Sequence, residues 1–293
     1  MAGLGLAAVL LGLVCAASAL SRPPSAQSGR PTAQSGRPTA QSRRCQGQLL
    51  LPDLVALVPD HIDVKQVGTP NASQFLLVFQ TGVANKGAGP LTLVGERANT
   101  ARPNLPTRQL IDCSAGPPES RAGAGVMLYT NEPTHDHWHY LDFERYELRA
   151  LGGGAAARRS RKAGFCPGDV ARVVLTVPDE LAHTPAGPVF GDQLPTICGA
   201  GNPAALRVAA GISVGYADLY AAFVEGQFID LTGLSAGTYR LTNQANPLDH
   251  LLEQRYDNDV AGIDVTLSWP HGPQSKPSIA LGASCMGRGA CGA

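Results

Sequence analysis

The chain has 293 residues with 23 basic and 23 acidic side chains, so its formal net charge is zero and the basic surplus of a nucleic-acid-binding surface is missing. Charged residues make up only 16%, while Gly (34) and Pro (23) are plentiful, which predicts many turns and short elements and argues against an architecture of long helices. The one long apolar run, residues 2–14, is too short for a comfortable transmembrane span.

Residues 1–19 read as an export signal, because the apolar run leads to the small-x-small pattern Ala17-Ser18-Ala19, although no Lys or Arg precedes it. Cleavage there would remove Cys15 and leave Cys45, Cys113, Cys166, Cys198, Cys285 and Cys291. An even number in an exported chain suggests disulfides. Cys166 with Cys198 and Cys285 with Cys291 are the expected pairs. Residues 20–46 hold a short tandem repeat of Ser, Gln, Gly, Arg and Pro, too polar to bury a core, and are expected to be a disordered linker.

A folded domain is expected over 47–270, beginning near Leu49. The run 74–94 predicts two strands around a Gly-rich turn at 85–89. Further β-rich runs follow at 126–130, 171–177, 227–232, 238–246 and 262–269, separated by Gly, Pro and Asn. The best helical candidate is short, at 249–255. The expected fold is therefore mainly β, a sandwich core with long irregular loops and few short helices. Residues 271–293 are expected to be a loose tail tied by their own cysteines.

The most informative segment, 134–148, reads THDHWHYLDFERYEL. His135, His137 and His139 stand at alternate positions, so in a strand all three imidazoles share a face and Trp138 and Tyr140 take the other. The remaining histidines, His61, His183, His250 and His271, lie elsewhere. Three converging imidazoles suit Zn, Cu, Ni or Fe, with Cu(II) bound most tightly of the divalent first-row ions. In a straight strand the outer two Cα atoms stand about 13 Å apart, so binding by all three requires a bend or bulge. A strand of unliganded surface histidines is the plainer alternative.

This segment resembles the copper site of the lysyl oxidase family, in which a His-x-His-x-His run is followed by an acidic, aromatic stretch. Here that stretch is one residue shorter than in the animal enzymes, and Arg145 falls where they carry a further histidine. The block Leu51-Pro52-Asp53-Leu54-Val55 resembles the domain's opening motif. Lys162-Ala163-Gly164-Phe165-Cys166 resembles the block that holds the family's cofactor lysine. Asp218-Leu219-Tyr220, shortly before Gln227-Phe228-Ile229-Asp230, resembles the block that holds its cofactor tyrosine. Residues 253–260, EQRYDNDV, resemble the terminal acidic turn. The blocks run in one order over roughly 50–268, as in a shorter, microbial-type member.

The resemblance implies a secreted copper enzyme that oxidises primary amines, on peptidyl lysine or small molecules, to aldehydes with O2, releasing hydrogen peroxide and ammonia. It implies a lysine tyrosylquinone cofactor made from Lys162 and Tyr220. Asp142 and Asp218 are candidates for the base, since they lie beside matched blocks. It also implies calcium held by Asp53, the Leu54 carbonyl, Glu253, Asn258 and Asp259, with Arg255 standing where the family has an acid and able to neutralise the carboxylates instead. Read without the resemblance, Lys162 belongs to an exposed basic loop and Tyr220 to the core.

Three other readings compete. Gly211-Ile212-Ser213-Val214-Gly215 fits a hydrolase nucleophile elbow, with Asp249 and His250 following, provided it lies on a strand-to-helix turn. A non-catalytic exported copper-binding module would use only the histidines. A zinc hydrolase would use the histidines and a water.

Overall fold

The structure is a computed structural model that describes residues 44–69, 72–132, 135–152, 157–173, 184–185 and 197–292. The expected signal, most of the linker, His183 and the end of the run 171–177 lie outside these residues.

The chain is mainly β, with one four-residue helix, Arg288–Cys291, among the described residues. Every strand pairing among them is antiparallel. Antiparallel strands tolerate one half-polar face, which suits the apolar–polar alternation of these runs. Three sheets form among the described residues, and one apolar cluster draws on all of them, including Leu77 and Phe79 from one, Leu93, Leu105 and Trp138 from another, and Tyr146, Leu241 and Val265 from the third.

The strand Ala72–Asn85 organises one sheet. Its first half pairs with Asp60–Thr69 and Phe228–Asp230, its second half with Leu54–Ala56 and Tyr216–Tyr220. The Gly-rich turn at 85–89 lies where expected, but the next strand, Leu91–Glu96, enters a different sheet, between Asn104–Cys113 and Arg207–Ile212. Buried Asn85 fixes that turn. Its Nδ2 donates to the carbonyls of Gly89 and Ile212, both at 3.0 Å, and its Oδ1 accepts from the Asp53 and Gly87 amides.

Three expectations change. Residues 249–255 form no helix: Asn246 and Asp249 have φ of 42° and 52°, and the Asn246 side chain takes both the amide and the carbonyl of Leu251, groups a helix would need. The expected tail contains the strand Ser278–Met286, which pairs with Val260–Ser268 and extends the third sheet. Ordered chain also begins before Leu49, because Cys45 is bonded to Cys113. The two expected disulfides, Cys166–Cys198 and Cys285–Cys291, are both present.

Candidate active site

The histidine strand, His135–Leu141, alternates as its sequence predicts. Trp138 and Tyr140 are buried and the three histidines are half-buried on the opposite face. Its ladder with Glu119–Glu132 keeps register from Met127↔Tyr140 to Glu132↔His135, so no bulge brings the imidazoles together. The side chains lean inward instead, and the ring centroids of His135, His137 and His139 lie 4.5–5.5 Å apart.

Each outer imidazole is oriented from behind. His139 Nδ1 lies 2.9 Å from the Thr130 hydroxyl and His135 Nδ1 lies 3.0 Å from a Glu225 carboxylate oxygen. His137 and His139 face each other with their Nε2 atoms 2.9 Å apart. Burial and the charge of the neighbouring ring push His139 down to about 3, and the same causes lower His137. Both rings are therefore neutral at physiological pH, the form that ligates a metal. As they stand, no group of three or more His, Cys, Asp or Glu side chains among the described residues surrounds a common metal position. The donor set still fits copper: three imidazoles share one face, two have Nδ1 engaged by an orienting partner, and two direct Nε2 into one space.

The short strand Gly164–Phe165 pairs with Tyr140 and Leu141 of the histidine strand. This pairing requires glycine at 164, because a Cβ there would lie 2.6 Å from His139 Nδ1. Lys162, two residues upstream, is thereby carried to the imidazole face. Its amide donates to Ser160 Oγ, its Nζ donates to the Glu225 carbonyl at 3.1 Å, and its Cβ packs against Gly226, whose φ of +73° suits glycine. Tyr220 arrives from another sheet, at the end of Tyr216–Tyr220 and opposite Thr81. Its hydroxyl accepts from the Cys166 amide at 3.0 Å. Lys162 Nζ lies 4.9 Å from the centroid of the Tyr220 ring. A cavity of about 310 Å³ opens here, lined by His135, His139, Arg161, Lys162, Glu225 and Phe228 among others.

Burial lowers the pKa of Lys162. Burial also holds Asp218 well above the carboxylate range and, with the Asp218 charge, holds the Tyr220 phenol well above its usual value. Of the two carboxylates considered as bases, Asp218 is buried beside Tyr220, whereas Asp142 is exposed in the turn after the histidine strand, with φ of 57°. Glu144, which the sequence did not suggest, is buried behind the pair and pushed up to about 7 by burial. Its Oε2 accepts from Thr81 at 3.0 Å, while Glu144 Oε1, Tyr146 Oη, Asp218 Oδ2 and the Gln227 amide have no protein partner. Such buried orphans mark room for internal water.

A second acidic cluster lies at the opening and terminal motifs. Asn258 Nδ2 donates to Asp53 Oδ1 at 2.9 Å, and Glu253 accepts from the Leu54 amide at 2.9 Å and from Asn246 at 2.6 Å. Burial and the neighbouring Asp259 push Glu253 up to about 8, and burial pushes Asp259 up to about 7. The expected neutraliser, Arg255, instead pairs with Asp257 at the surface. The partner of Asp259 is Arg288, whose Nη2 lies 2.9 Å from Asp259 Oδ2 and 2.9 Å from Asp249 Oδ1. Calcium takes six to eight oxygens. Here both Glu253 oxygens are occupied, and the unpartnered buried oxygens are Asn258 Oδ1 and Asp259 Oδ1, so the cluster does not fit calcium as it stands.

Ser213 follows the strand Arg207–Ile212 and turns into another strand, Tyr216–Tyr220, with its amide donating to Asp169. It therefore lacks the strand-to-helix turn of a nucleophile elbow.

Residues 203–270 match the family model described as lysyl oxidase. That span contains the Tyr220 block and the terminal acidic turn but neither the histidine strand nor Lys162. A mouse protein, lysyl oxidase homolog 4, is 25% identical over 146 residues, which is 50% of this chain and 16% of the mouse protein. Both matches name the same family, and over these stretches the chain is similar to lysyl oxidases while spanning only a small part of the mouse protein's length.

Proposed function

We propose that this chain is an exported copper-dependent amine oxidase, converting primary amines to aldehydes with O2 and releasing hydrogen peroxide and ammonia. The observation that carries this reading is the approach of Lys162 Nζ to 4.9 Å from the Tyr220 ring, beside three imidazoles on one strand. Bound copper with O2 would supply the oxidation of the tyrosine ring, and a lysine tyrosylquinone formed from Tyr220 and Lys162 would supply the amine chemistry. His135, His137 and His139 would hold the copper.

The remaining chemistry belongs to the chain. A lysine amine attacks a ring only when neutral, and burial lowers the pKa of Lys162 in that direction. Ser160 and Glu225 hold its backbone amide and its Nζ, so the amine is directed rather than free to search. The Cys166 amide bonds the Tyr220 hydroxyl and fixes the ring's orientation. In this reading Asp218, once ionised, takes the phenol proton at Tyr220 Oη, and the burial that raises its pKa makes that carboxylate a stronger base. Substrate enters from the cavity on the Lys162 side, where Glu225 favours a cationic amine. The calcium raised by the resemblance has no part here. Three disulfides agree with export, and no helix among the described residues is long and apolar enough to cross a membrane.

The test is the visible spectrum of copper-supplied, exported protein before and after phenylhydrazine, beside Tyr220→Phe. A shifted hydrazone band in the wild type, absent from the variant, is the expected result. A folded, copper-loaded wild type with no band would leave a non-catalytic copper-binding module as the better account.

A further inference from the structure

The acidic cluster of Asp53, Glu253 and Asp259 contains more negative charge than its hydrogen bonds answer. Asp259 is fully buried, feels the charge of Asp53, and has one oxygen without a partner. An unpaired buried carboxylate is costly, so a cation or a proton must balance it. The cation present is Arg288.

Arg288 is not a chance surface contact. The Arg288 amide donates to the Asp257 carbonyl at 2.8 Å and the preceding Gly287 amide donates to the Val260 carbonyl at 2.7 Å, which docks the backbone against the segment that bears Asp259. Gly287 has φ of +85°, a turn that suits glycine and directs the chain back across this segment. Cys285–Cys291 closes the loop around Arg288, and Arg240 donates to the Ala290 carbonyl from the neighbouring strand. The guanidinium bridges Asp249 and Asp259 through one nitrogen and leaves Asp259 Oδ1 and its own Nε without partners.

We propose that Arg288, carried by the disulfide-closed C-terminal loop, is the resident cation of the Asp53–Glu253–Asp259 cluster, and that a divalent cation binds there only when Arg288 is withdrawn. Withdrawal frees Asp259 Oδ2, so that this residue and its neighbour Asn258 offer three buried hard oxygens, Asp259 Oδ1, Asp259 Oδ2 and Asn258 Oδ1, without a protein partner. It also removes a positive charge that repels any entering cation. This inference is independent of the amine-oxidase reading, because it concerns a different site.

The experiment uses the full chain with its disulfides intact, as wild type and Arg288→Gln, both stripped with a chelator and then titrated with calcium chloride. Thermal unfolding and calorimetric binding are the readouts. Without calcium, Arg288→Gln should melt lower by roughly 5–10 °C. Calcium should restore most of that loss, binding the variant at least about tenfold more tightly than the wild type. The wild-type midpoint should stay where it is. A second variant, Cys285→Ser with Cys291→Ser, keeps Arg288 but opens its loop and should shift in the same direction by less. Equal calcium affinity in wild type and Arg288→Gln, or equal midpoints in chelator, overturns the proposal. Should the variant not fold, the wild type decides alone, since a rise of several degrees with calcium also overturns it.

Discussion

Glu225 lies on the loop between Tyr216–Tyr220 and Phe228–Asp230 and touches both halves of the candidate site. Its carboxylate orients His135 and its carbonyl receives Lys162. Carboxylates behind ligating histidines commonly contribute 10–100-fold to metal affinity. Glu225→Gln should therefore weaken copper binding by roughly 10–100-fold in a competition titration, with unchanged thermal stability of the metal-free protein. An unchanged copper affinity would remove Glu225 from the metal's surroundings. The three histidines were legible in the sequence because a period of two is itself a statement about a strand face. Lys162 and Tyr220 were legible only through resemblance, since a lysine in RRSRKAG and a lone tyrosine carry no local signature. Glu225, Thr130 and Glu144 were not legible, because each gains its meaning from a partner on a different strand.

The strands themselves were largely readable from alternation, and their partners were not. The runs before and after the turn at 85–89 look like a hairpin pair in sequence, but they enter separate sheets, since buried Asn85 binds Ile212 and redirects the chain. The helix expected at 249–255 fails for a similar local reason, the side-chain bonds of Asn246 to Leu251. Two of the disulfide pairs were expected from the sequence without a rule that fixed them, and their placement matters. Cys166 follows the strand Gly164–Phe165, and the Cys198 carbonyl receives the Trp138 amide of the histidine strand. Replacing both by serine opens a loop with a sequence separation of 32. Loss of about 4 kcal/mol is expected in urea unfolding. A loss below about 1 kcal/mol would mean that the sheet pairing of Gly164–Phe165 suffices to hold this segment.

Balanced charge argued in the sequence against a nucleic-acid surface but said nothing of the charge buried inside, which decides how the whole molecule responds to pH. Glu144 is pushed up to about 7 by burial, from an ordinary value of 4.5, so the folded state holds a proton that the unfolded chain has already released. Its contribution to stability is complete below pH 4.5 and disappears as pH rises through about 7. Asp218, Glu253 and Asp259, all raised chiefly by burial, act in the same direction. The thermal midpoint should fall between pH 5 and pH 8, and Glu144→Gln should flatten part of that fall. Parallel curves for wild type and variant would show that Glu144 is charged in the folded state throughout.

Lys162 stands beside the sheet of the histidine strand, and Tyr220 ends a strand of another sheet. Joining the two side chains would change the kind of polymer the chain is. A linear molecule would become a ring with two tails, and the Cys166–Cys198 bridge would lie inside the ring. Reduction and denaturation would no longer return it to its starting form. A molecule that had matured and then unfolded would refold from a smaller set of conformations than one newly made, carrying a record of its first folding in its covalent structure.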